Sequence, residues 1–76
     1  MKARHVRHVR HVLRLRLLRG GRGLGQDEMA EHLGIDVSGY CRIESGSREP
    51  TLEQAMSLAQ FFDVPVARLL ERVEVR

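Results

Sequence analysis

The chain has a single cysteine, Cys41, so it cannot close an intramolecular disulfide, and a reducing compartment is the expectation. It has no apolar run approaching the roughly 20 residues that cross a bilayer, and its arginine-rich N-terminus lacks the apolar block of a signal peptide. Both absences point to a soluble, cytoplasmic protein with no membrane partner. Acidic residues are missing altogether from residues 1–26, which hold Lys2, Arg4, Arg7, Arg10, Arg14, Arg16, Arg19 and Arg22 and so carry +8. From Asp27 onward ten acids face five arginines, a balance of −5. This asymmetry predicts a polyanionic partner for the first half of the chain.

The residues of catalysis are lacking too. There is no nucleophile elbow and no zinc-ligand spacing, and the glycines at 20, 21, 23 and 25 follow a helix instead of a strand, without the Gly-Lys-Ser/Thr ending of a phosphate-binding loop. No enzyme activity and no cofactor are expected. His5, His8 and His11 have the i, i+3 spacing that could face two imidazoles one way. Their segment offers no cysteine or carboxylate, its arginines repel cations, and the repetition itself accounts for the spacing, so no metal is expected.

What is present centres on Gln26 to Gly46, QDEMAEHLGIDVSGYCRIESG. Met29, Ala30 and Leu33 give one buried helical face, with Asp27 and Glu28 at the positive end of its dipole and Gly34 suited to a left-handed stop. Asp36 can cap a second helix by accepting from the free amides of Ser38 and Gly39. That helix is expected to run from Val37 to Ser45, with Tyr40 and Ile43 inward, Val37, Ser38, Cys41 and Arg42 elsewhere, and Gly46 as its cap. Two short helices at this spacing form a helix-turn-helix.

Gln26, Ala30, Gly34, Ile43, Glu44, Gly46 and Pro50 fall at marker positions of a large family, so the chain resembles a phage-repressor-type (Cro/CI, XRE) helix-turn-helix from about Leu13 to Leu70. It departs from the pattern at Gly25, where a Ser, Thr or Asn cap is usual, at Ser45, where Asn is usual, and at Gly39 inside the second helix. The resemblance implies an all-α, five-helix, lambda-repressor-like domain. It also implies an ion pair between Arg19, ending the first helix, and Glu44.

Around this stretch, 76 residues make one small domain near the size at which a lone core is marginal, so help from a partner chain would not be surprising. Three copies of Arg-His-Val at residues 4–12 read either as a basic arm or as a helical extension carrying Val6, Val9, Leu13 and Leu17 along one stripe toward a second subunit. Residues 13–70 form the domain, and 71–76 a tail. In the first helix Leu15 and Leu18 face the core. Thr51 and Gln54 read as a capping box opening a fourth helix whose expected buried side is Leu52, Ala55, Met56, Leu58, Ala59 and Phe62. Pro65 starts a short fifth helix with Val66, Leu69 and Leu70 inward. The tail Val73-Glu74-Val75-Arg76 alternates like a strand, either frayed or paired across a dimer.

By resemblance, Val37, Ser38 and Arg42 face DNA bases: Arg42 could donate twice to guanine, Val37 pack on a thymine methyl, and Ser38 donate or accept. Gln26, Arg48, Arg22 and Arg10 are candidate phosphate contacts, which position a protein without specifying sequence. The implied function is a sequence-specific, homodimeric regulator of transcription, a repressor, on a two-fold operator in double-stranded DNA. The alternative is an antitoxin or another protein-interaction module on the same fold, with the arm and tail as its binding segments.

Overall fold

The structure, a computed structural model, describes residues 10–75. Val6, Val9, His5 and His8 lie outside the described residues, as does the side chain of Arg10. The described chain runs β1 (Arg10–Leu13), α1 (Arg14–Gly21), α2 (Gln26–Leu33), α3 (Val37–Ser45), α4 (Leu52–Phe62), α5 (Val66–Leu69) and β2 (Arg72–Val75). The five expected helices are therefore present, joined by a two-stranded ribbon that the resemblance did not imply.

The helix ends follow from local chemistry. Gly34 and Gly46 stop α2 and α3 with φ of 71° and 81°, a conformation nearly free of cost only without a Cβ. At α4 the capping box closes both ways: the Gln54 amide donates to Thr51 Oγ1 at 3.1 Å, and the Thr51 amide donates to Gln54 Oε1 at 2.9 Å. At α2, Gly25 has no side chain to cap with. The helix start is held instead by the Gly25 amide donating to Glu28 Oε1 at 2.7 Å.

The core gathers Leu13 and Leu15, Met29 and Ala30 of α2, Tyr40 and Ile43 of α3, Leu58, Ala59 and Phe62 of α4, and Leu69 of α5. Leu18, Leu33, Val66 and Leu70 pack half-buried on its edge. Two positions expected inside are outside: Leu52 is 74% and Met56 56% exposed. The reason is angular. With about 100° between successive residues, the buried face centres between Ala55 and Phe62, leaving Leu52 and Met56 roughly 70° and 110° away from it.

The segments flanking the helices also differ from expectation. Residues 10–12, expected in an arm or helical extension, form a strand, and residues 72–75, expected frayed or paired across a dimer, pair with it within the chain. The two strands are antiparallel, with Arg10 opposite Val75, His11 opposite Glu74, Val12 opposite Val73, and Leu13 opposite Arg72. The ribbon forms because α1 follows β1 directly and packs near α5, from which β2 leaves. Arg14 fastens the junction, its amide donating to the Glu71 carbonyl at 2.7 Å and its Nε to Glu71 Oε1 at 2.6 Å. Val12 and Leu13 are consequently buried, and Leu13 enters the core from a strand while Leu17, its expected partner in a helical stripe, is exposed.

Candidate nucleic-acid interface

Helix α3 is positioned by what it buries. Its inward side is Gly39, Tyr40, Ile43 and Glu44, while Val37, Ser38, Arg42 and Ser45 are exposed and Cys41 is half-buried. The three residues expected to face bases thus share the outer surface of one helix. Asp36 caps its start, Oδ1 accepting from the Gly39 amide at 3.1 Å. The Ser38 contact is made by the hydroxyl, donating to Asp36 Oδ2 at 3.1 Å, and not by the backbone amide. Ser38 first, then the Gly39 amide and more weakly Arg42, hold the Asp36 carboxyl below the usual carboxylate value.

Behind this surface, buried Glu44 collects the donors of three helices. Arg19 of α1 approaches it with two nitrogens, Nε to Oε2 at 2.5 Å and Nη2 to Oε1 at 3.2 Å, and sends Nη1 to the Leu24 carbonyl at 2.7 Å. The expected Arg19–Glu44 ion pair is therefore present and forked. Two further partners were missed. The Tyr40 hydroxyl donates to Oε2 at 2.6 Å, and Gln26 Nε2 to Oε1 at 3.2 Å. The Tyr40 contact was legible as an i, i+4 pair on one helix; the Gln26 contact spans 18 positions and left no local trace. Every buried side-chain nitrogen and oxygen of the described residues has a partner. A rigid frame thus fixes α3 relative to α2, and Gln26, at the first position of α2, is part of that frame.

The other candidate residues separate. Arg48 is exposed in the loop after α3, with its amide donating to the Arg42 carbonyl at 3.1 Å. Arg22 lies against α4: Nη1 donates to the Phe61 carbonyl at 3.0 Å, and the guanidinium stands 4.9 Å from the Phe62 ring centre. It thereby serves the end of α4. Arg10 opens β1, away from the α2–α3 turn in sequence. Arg72, which sequence reasoning did not single out, places its guanidinium against Gly46, at the negative end of the α3 dipole. Among the described residues no group of three or more His, Cys, Asp or Glu side chains could hold a metal ion, and no helix is long and apolar enough to cross a membrane.

Comparison with known proteins returns the same architecture. The helix-turn-helix domain family matches residues 13–75. The chain is 38% identical over 61 residues to the cryptic phage CTXphi transcriptional repressor RstR of Vibrio cholerae, covering 80% of this chain and 55% of that protein. It is 39% identical over 57 residues to the HTH-type transcriptional regulator YobD of Bacillus subtilis (strain 168), covering 75% and 51%. The chain thus spans about half the length of these curated relatives. Among solved structures, the restriction-modification controller protein C.AhdI of Aeromonas hydrophila superposes with a TM-score of 0.63 at 36% identity, covering 74% of this chain and 85% of that one.

Proposed function

We propose, because this chain belongs to the helix-turn-helix domain family, that α3 reads the major groove of double-stranded DNA and that the protein regulates transcription from the sites it reads. The observation that carries this reading is the outer surface of α3. Val37, Ser38 and Arg42 stand exposed on a helix whose opposite side is locked to α1 and α2 through Glu44. A helix fits the major groove with its N-terminal residues toward base edges, and a guanidinium at Arg42 can donate twice to guanine O6 and N7.

Phosphate contacts are assigned to Gln26 and Arg48, which flank α3, with Arg10 and its basic neighbours adding charge. Arg22 bonds Phe61 through Nη1 alone, and the remaining donors of its exposed guanidinium are assigned to phosphate as well. The Gln26 amide nitrogen donates to Glu44, so contact with a phosphate by this residue uses its remaining donor or the free backbone amides at the start of α2. A homodimer on a two-fold operator completes the reading, because one short helix spans too few base pairs to select a site alone. The relatives are named as regulators of transcription, which favours DNA over a purely protein partner, and both a repressor and an activator, BcrR of Enterococcus faecalis, are among them. We assign repression here, as in the relative RstR. No catalytic role is assigned.

Selection of bound duplexes from a random pool tests the reading. Half-sites about 10 base pairs apart, centre to centre, are expected. Recovery of no preferred sequence, with binding insensitive to salt, would remove it.

A further inference from the structure

Gly39 is, by composition, a weak point of α3, since it sends nothing into a groove and has poorer helix propensity than alanine. The structure gives it a use. Gly39 is buried, yet it lies on the border of the outer surface, about 60° around the helix from Arg42. What covers it is polar. A Cβ at this position would stand 2.7 Å from Asp36 Oδ1 and 2.9 Å from Arg48 Nη1, closer than non-bonded atoms approach. The Arg48 guanidinium therefore rests in a notch on the flank of α3, with the capping carboxylate as the other wall. The Arg48 amide also bonds the Arg42 carbonyl, so residue 48 is held to α3 through its backbone while its exposed guanidinium lies beside Gly39. The ion pairs of the described residues are Arg14–Glu71 and Arg19–Glu44, so the seated charge is still available to a ligand.

We propose that Gly39 is a positioning residue, whose missing side chain seats the Arg48 guanidinium on the flank of α3 to bind a DNA backbone phosphate at the groove wall. This rests on α3 being the helix that enters the groove. Residues on the outer surface of such a helix meet base edges, whereas a flank faces the sugar-phosphate strand beside it. Seating matters because a long side chain that is already ordered loses less rotamer freedom on binding, and a planar guanidinium matches two phosphate oxygens only in a fixed orientation.

The test is a double-variant cycle on the full chain: wild type, Arg48→Ala, Gly39→Ala and the pair, each titrated with the selected duplex and with a scrambled one across a salt series. Arg48→Ala is expected to weaken both duplexes by the same factor and to lower the salt slope by about 1. Gly39→Ala should reproduce that slope change although alanine favours the helix, and the pair should bind no more weakly than Arg48→Ala alone. Thermal melts by circular dichroism establish that each variant is folded at the assay temperature, and the pair isolates any effect of the added methyl group on the Asp36 cap. A wild-type slope in Gly39→Ala, losses that multiply in the pair, or a loss confined to one base pair would overturn the proposal while leaving the DNA-binding reading intact. Wild-type protein that binds neither duplex would overturn both.

Discussion

Tyr40 and Glu44, one turn apart on α3, share a 2.6 Å hydrogen bond in which the phenol donates to Oε2, the same oxygen that receives Arg19 Nε. The carboxylate that ties α1 to α3 is therefore also tied along its own helix. Burial of a charge is tolerable only when its lone pairs are met, and here Arg19, Tyr40 and Gln26 meet them.

Removing the acceptor should cost the most. Glu44→Ala leaves the Arg19 guanidinium and the Tyr40 hydroxyl without their partner and is expected to destabilise the domain by about 3 to 5 kcal/mol. Tyr40→Phe removes one donor to a charged group and should cost about 1.5 to 3 kcal/mol. Urea unfolding followed by circular dichroism measures both, and a Glu44→Ala loss no larger than that of Tyr40→Phe would contradict the shared-acceptor arrangement.

Burial first, and then the neighbouring Glu44 carboxylate, raise the Tyr40 hydroxyl above the ordinary phenol value of 10.0. A raised folded-state value means the contribution is complete below pH 10 and declines as pH rises beyond it, because the unfolded chain then releases a proton that the folded chain retains. Stability should fall above that pH in the wild type and fall less steeply in Tyr40→Phe. Tyr40 is the sole tyrosine, so tyrosinate absorbance reports it alone. Its ionisation at the ordinary value in folded protein would refute the shift.

Leu52 and Leu58 sit on the same helix with opposite surroundings, 74% and 0% exposed. Leu52→Ala should change stability by no more than about 0.5 kcal/mol, and Leu58→Ala should cost about 2 to 5 kcal/mol. Equal losses in chemical unfolding would mean that α4 packs on the face inferred from its apolar residues alone.

Arg42→Ala should weaken binding to the selected duplex by about 1 to 3 kcal/mol and relax preference at one base-pair position per half-site. Repeating the random-pool selection with the variant reads this directly. An unchanged selected sequence would place Arg42 on phosphate.

The bounds of α2 and α3 were legible because their signals are local: Gly34, Asp36 and Gly46 fix turn and cap geometry within a few residues. The same holds for the Thr51 capping box. The Arg19–Glu44 pair came from family resemblance and not from spacing, since 25 positions separate the partners. The ribbon was half legible. The tail alternated as a strand does, but its partner lay in a three-residue repeat whose period masked a strand, and only the proximity of α1 and α5 joins them.

By itself, then, the sequence determined the helices, their stops and the residues presented on α3, because backbone propensity, capping and periodicity act over one or two turns. The tertiary structure alone decided which side of α4 is buried, that β1 pairs with β2, that Gln26 joins the Glu44 network, and that Gly39 makes room for Arg48. Each of these depends on how separate elements are oriented in space, and that orientation is set by packing the whole core at once.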